Sequence, residues 1–104
     1  MCRQKIVIFV HHCRNMVKGQ LNFDAILTLN TREESYTFFD DLATINEVLS
    51  LSQRFEVATM LRDKKTYQEI AQKTGASTAT ISRVNRSLNY GNDGYEMVLS
   101  RMGS

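Results

Sequence analysis

The chain has 104 residues, a net charge of +2 and 42% hydrophobic residues, with no proline and no tryptophan. That length is enough for one domain with a small core, and the lack of proline suits an almost entirely helical fold. No apolar run approaches the length of a membrane span.

Residues 1–18 read as an N-terminal tail, with disorder one reading of it and Met16 an alternative start. The strand-like run Ile6 to Val10 has no obvious partner and is too short for the apolar region of a secretory signal. Cys2, His11, His12 and Cys13 invite a zinc reading, but their spacing matches no familiar site. Both cysteines lie outside the expected domain, residues 19–102, and so do not staple its core. This fits a reducing cytoplasm.

From Gln20 the pattern turns helical. Leu21, Phe23, Ile26, Leu27 and Leu29 predict a first amphipathic helix ending near Asn30. Thr31 with Glu34 forms a Thr-x-x-Glu capping box for a second helix, which buries Tyr36, Phe38, Phe39 and Leu42 in some combination. Asp40 and Asp41 are adjacent on that helix, point in different directions, and read as solvated. Thr44 and Glu47 form another box. Apolar residues then continue to Leu61, with a break expected within Ser50 to Gln53. The first two helices carry more apolar surface than one subunit covers, which predicts an intertwined homodimer.

Residues 66–88 are the most informative stretch. Thr66 and Glu69 form a third capping box. Ile70 points to the core, and Ala71 is small where two helices must cross. Gly75 can take the positive φ that ends a helix abruptly, Ala76 continues the turn, and Ser77 can cap a second helix. Ile81, Val84 and Leu88 bury one face of that helix. Thr78, Ala79, Ser82, Arg83 and Arg86 occupy the other. The pattern is that of a helix-turn-helix whose second helix enters the major groove of DNA. From Arg62 to Arg86 the net charge is +4, so the rest of the chain carries about −2. Positive charge is thus concentrated where a phosphate backbone would lie. After Leu88 comes a turn-rich segment to Gly94, then a last helix containing Tyr95, Met97, Val98, Leu99 and Met102. The prediction is an all-α fold of about six helices.

Thr44, Glu47, Leu51 and Arg54, then Leu61, Gly75-Ala76 and Ala79-Thr80-Ile81-Ser82-Arg83, closely resemble the tryptophan repressor family over residues 43–88. One residue looks deleted in the Asp63–Thr66 turn. Phe38-Phe39-Asp40-Asp41-Leu42, Thr44-Ile45-Asn46-Glu47, Gly75 to Val84 and Leu88 to Asp93 extend the match to Trp-repressor-like proteins of Gram-positive bacteria (the YerC/YecD type). That wider match covers about residues 19 to 101. The resemblance implies an interlocked dimeric DNA-binding regulator. It also implies a corepressor site in which an indole lies between two arginines, corresponding here to Arg54 and Arg83, with Thr44, Thr80 and Ser87 nearby. Guanidinium planes stacked on an aromatic ring give such a site its physical sense. Val84 stands where the repressor has glycine, and its branched side chain should fill space an indole needs. Arg54 has a second reading, as the ion-pair partner of Glu47 or Glu56. Ser77, Thr78, Ala79 and Ser82 match the start of the repressor's reading helix. Ala71 and Gln68 stand where the repressor has lysine and arginine, so the base sequence read should differ.

These residues predict a sequence-specific transcriptional regulator, a repressor by resemblance, acting as a homodimer on palindromic double-stranded DNA. In this reading Thr78, Ala79 and Ser82 contact base edges, while Arg86, with Lys73 or Lys65, holds phosphates. Gln68, Ser77, Thr80 and Arg83 complete the expected DNA-facing set. No cofactor is expected beyond a small-molecule corepressor. The alternative is a protein-interaction adaptor that keeps the helix-turn-helix fold without specific DNA binding. An enzyme is not expected: no nucleophilic or metal constellation lies within the domain, and both histidines sit in the tail.

Overall fold

A computed structural model describes residues 22–103 of the chain. The N-terminal tail, with its Ile6–Val10 run and its cysteines and histidines, lies outside the described residues, as do Gln20 and Leu21. Every regular element among the described residues is helical. The chain divides into two units, Met1–Leu42 and Ala43–Ser104.

In the first unit, α1 is a single turn, Phe23–Ile26. The sequence predicts a helix from Gln20 to near Asn30, and the caps explain why the described part is shorter. The Asn22 side chain accepts from the Asp24 and Ala25 N–H groups at 3.0 and 3.3 Å, so the helix starts there. At the other end the Thr28 and Leu29 N–H groups turn back three residues, to Ala25 and Ile26, tightening the chain out of the α-helix. Helix α2 spans Arg32–Leu42. Thr31 caps it as expected, its hydroxyl accepting from the Glu34 N–H at 3.1 Å. The returning arm of the box is displaced by one residue: Glu34 accepts from the Asn30 N–H at 2.7 Å. Phe38 and Phe39 pack edge to face, 5.4 Å between centroids. Neither α1 nor α2 contains a buried residue.

The second unit holds the core. Helix α3, Ile45–Arg62, runs unbroken for 18 residues. The break expected at Ser50–Gln53 is absent because the stretch has neither glycine nor proline and its two serines remain on the exposed side. Thr44 and Glu47 complete a full capping box at its start. Its far end is a Schellman motif: the Lys65 N–H donates to the Met60 carbonyl, the Lys64 N–H to that of Leu61, each at 3.0 Å. Lys64 takes the left-handed position there, with φ 66°. Helix α4, Tyr67–Thr74, starts at the complete Thr66/Glu69 box and ends at Gly75, whose φ is 75°.

Helix α5, Thr78–Tyr90, begins at Ser77, whose hydroxyl accepts from the Thr80 N–H at 3.1 Å. It runs two residues past Leu88, so Asn89 and Tyr90 belong to the helix and not to the following turn. It ends at Gly91, whose backbone leaves the helical region with φ −88° and ψ −144°, a conformation in which a Cβ would lie 2.4 Å from the Ser87 carbonyl oxygen, so glycine is required there. Helix α6 spans Gly94–Arg101.

Val57 and Ala58 of α3, Ile70 of α4, Ala76 of the turn, and Ile81 and Val84 of α5 form one buried cluster. Met60, Leu61, Ala71 and Tyr95 pack against it. Ala76, read in the sequence as a turn residue, is therefore also a core residue. It wedges the two short helices onto α3. Helix α6 packs on this cluster through Tyr95, buries its own Leu99 and is tied to α3 by an ion pair. Arg62 Nε and Nη2 each donate to the Glu96 carboxylate at 2.9 Å, and Ser100 donates to the same carboxylate.

Candidate nucleic-acid interface

The helix-turn-helix is built from its turn outward. The last carbonyls of a helix lack intrahelical partners, and at the end of α4 those of Ala71 and Thr74 are satisfied in different ways, while the Thr74 hydroxyl adds a bond to the carbonyl of Ile70 one turn back. The Gly75 N–H returns to the Ala71 carbonyl at 2.9 Å. The Thr74 hydroxyl donates to the Ile70 carbonyl at 2.8 Å and accepts from the Ala76 N–H at 3.1 Å. The Thr74 carbonyl accepts from Gln53 Nε2 at 3.0 Å, a bond from α3 across 21 positions of sequence. Three residues after Thr74, Ser77 caps α5, so the beginning of that helix is set by the turn.

On α5 the apolar side is spent on the core, with Ile81 at 0% and Val84 at 3% exposure. Thr78, Ala79, Ser82, Arg83 and Arg86 are all exposed, and Thr80 is half-buried beside the cap. Gln68 and Lys73 are exposed on α4, and Lys64 and Lys65 on the turn before it. One basic residue leaves this group. Arg62 is committed to Glu96 and Ser100, and its side chain is only 24% exposed. The sequence counts it with the basic stretch, because a pairing 34 residues away has no local signature.

Behind α5 lies a cavity of about 180 Å³. Arg54, Thr80, Arg83, Val84 and Ser87 line it, as do Ser50, Gln53 and Tyr95. Four of the five residues singled out as corepressor contacts are thus brought together within one chain. Thr44 is not among them, being engaged with Glu47 at the start of α3. The expected ion pair of Arg54 with Glu47 or Glu56 is not formed either. Among the described residues Arg54 reaches only the Ser50 hydroxyl, at 3.5 Å. Glu47 instead accepts from the Thr44 N–H and hydroxyl, which hold its carboxyl below the usual carboxylate range. The same two bonds from Thr66 lower that of Glu69, and those from Arg62 and Ser100 lower that of Glu96.

The profile of the Trp repressor protein family matches residues 19–103. The chain belongs to the Trp repressor family. It is 65% identical over 80 residues to the uncharacterized protein YerC of Bacillus subtilis (strain 168), covering 77% of each chain. The crystal structure of a TrpR-like protein from Eubacterium eligens ATCC 27750 superposes with a TM-score of 0.76 at 70% identity, over 78% of this chain and 84% of that one. A Staphylococcus aureus structure gives 0.76 at 64% identity, over 78% and 81%. Members of the Trp repressor family bind DNA, and they are regulators rather than enzymes. No helix among the described residues is long and apolar enough to cross a membrane.

Three residues of this Trp repressor family member escaped sequence reasoning: Gln53, Ser50 and Tyr95. The sequence reads Ser50 to Gln53 as a break in the helix, and Tyr95 only as part of the last helix. Only the packing of α3 and α6 beside α5 puts them at the turn and the cavity. The helical spacing of Ser50 and Arg54 was a usable signal for one of these contacts. Gln53 to Thr74 had none.

Proposed function

We propose that this chain is a sequence-specific transcriptional regulator, a repressor, acting as a homodimer on a palindromic DNA site. The observation that carries this reading is the exposed edge of α5. Its cap and first turns present short hydroxylated and small side chains, its buried side is locked into the core, and Arg83 and Arg86 follow. Short polar side chains suit base edges in the major groove, and flanking cations suit phosphates. Two-fold symmetry would set the α5 helices of two subunits about one DNA turn apart. The unburied apolar side chains of α1 and α2 supply surface for the second copy.

Thr78, Ala79 and Ser82 contact bases. Arg86, Lys73 and Lys65 hold phosphates. Tryptophan is not the effector in this reading. The cavity between Arg54 and Arg83 is below the roughly 300–1,000 Å³ of typical ligand sites, and Val84 lines it from the core.

The test is selection from a random duplex library at physiological salt with no added ligand. A palindrome should emerge, and tryptophan should leave its affinity unchanged. On that palindrome Thr78→Ala should lower selectivity several-fold. Lys73→Ala should weaken selected and random DNA alike, reducing the log–log salt slope by roughly one. Failure to enrich any sequence, with or without tryptophan, would remove the reading.

A further inference from the structure

We infer that Gln53 is a positioning residue for base recognition: its bond to the Thr74 carbonyl sets where α5 begins, although Gln53 belongs to neither helix of the reading motif. The inference rests on the DNA-reading function proposed above and names a determinant of its specificity.

Four observations lead to it. First, the bond is well formed, at 3.0 Å, half-buried, and joins α3 to the last residue of α4. Second, it meets the chain at the one point where the motif turns. Gly75 follows immediately in the left-handed conformation, and the nearest atom to a Cβ built there would be Gln53 Nε2, at 4.0 Å. Third, the other polar ties at this turn are local. The Thr74 hydroxyl and the Gly75 N–H both bond within residues 70–76, so they shape the turn without anchoring it to α3. The apolar wedge of Ala76 does anchor it, but apolar contact is non-directional. A hydrogen bond weakens steeply as its angle opens, so Gln53 supplies the directional restraint. Fourth, Thr78 and Ala79 lie four and five residues beyond Thr74. A small rotation at the turn is carried straight to the side chains meant for base edges.

Phosphate contact has no such requirement. Lysine and arginine side chains are long and flexible and meet a continuous line of charge. Loss of the Gln53 bond should therefore reduce discrimination between sequences while leaving general DNA affinity in place. A purely structural role would lower both together, through loss of folded protein.

The experiment measures affinity for the selected palindrome and for a random duplex of equal length, at several salt concentrations. It compares the full chain with Gln53→Met and Gln53→Glu. Methionine keeps the length and packing without the donor. Glutamate keeps the shape but turns a carboxylate toward the Thr74 carbonyl. Both should lower the ratio of selected to random affinity roughly tenfold, the order expected from one hydrogen bond, with random-duplex affinity and salt slope unchanged for Gln53→Met. Amide hydrogen exchange should quicken at Gly75–Ser77 and not within α3. An unchanged ratio in Gln53→Met would overturn the inference, as would a parallel fall on both duplexes. If one variant fails to fold, the other decides. A wild-type chain that shows no preference overturns the DNA reading itself. A selective wild type with an equally selective Gln53→Met overturns only the role of Gln53.

Discussion

The two units of this molecule use the same local signals and reach different results. Residues 22–42 have a side-chain cap at each helix start, a Thr-x-x-Glu sequence and a stripe of aromatic residues, yet bury no side chain. Residues 43–103 have the same kind of cap on all but the last helix and the same number of aromatics, yet bring Val57, Ala58, Ile70 and Ile81 to 0% exposure. Caps decide where helices begin. Whether a helix acquires a core depends on what its apolar face meets, and most helical stability comes from that packing.

The largest expected contrast is between core and stripe. Ile70→Ala should cost about 2–5 kcal/mol in denaturant unfolding, because it opens a cavity in a fully closed cluster. Tyr36→Ala, at a side chain 61% exposed, should cost under about 0.5 kcal/mol if the chain acts alone. Under the homodimer reading it should instead weaken self-association and make the thermal midpoint depend more steeply on protein concentration. Sedimentation equilibrium with melts at two concentrations separates these cases.

The caps give a smaller contrast. Thr66→Ala should destabilise by about 1 kcal/mol, since it removes the hydroxyl that accepts from the Glu69 N–H and donates to its carboxylate, leaving only the backbone arm of the box at the start of α4. Thr31→Ala, where the carboxylate arm already serves Asn30, should cost less.

Acid should act on the second unit through Glu47, Glu69 and Glu96. All three ionise more readily in the folded chain than at their ordinary value of 4.5. Folding therefore releases protons, and the associated stability is complete above that pH and lost as pH falls below it. A series of unfolding midpoints from neutral pH downward should fall less steeply for Glu69→Gln, which keeps the cap's reach without a titrating group. A slope equal to that of wild type would deny Glu69 this part.

The smallest effect should be a gain. Lys64 holds φ at 66°, where a side chain is disfavoured, and Lys64→Gly should stabilise by up to about 1 kcal/mol. The added freedom of glycine in the unfolded chain sets that upper limit.

Much of the fold was legible because it is written in short-range chemistry. The three Thr-x-x-Glu boxes, Gly75, Ser77 and the Ile81–Val84–Leu88 face act within four residues of themselves. Each mistaken boundary came from a signal of the same range. Two serines in α3 resembled a break, and the glycines after Leu88 hid a further half-turn of α5. The candidate site divides likewise. The exposed side of α5 follows from helical spacing, and the pairing of Arg54 with Arg83 around a cavity was legible only through resemblance.

By itself the sequence determined the all-helical class, most helix starts, the turn at Gly75 and the side of α5 left free. All of these depend on backbone geometry and hydrogen bonds between near neighbours. Only the tertiary structure decided that Arg62 is committed to Glu96, that Gln53 holds the end of α4, and that Ala76 is core. Those contacts join residues brought near one another by burial of the apolar cluster. Burial is non-directional, and it leaves no mark on the spacing of polar side chains along the chain.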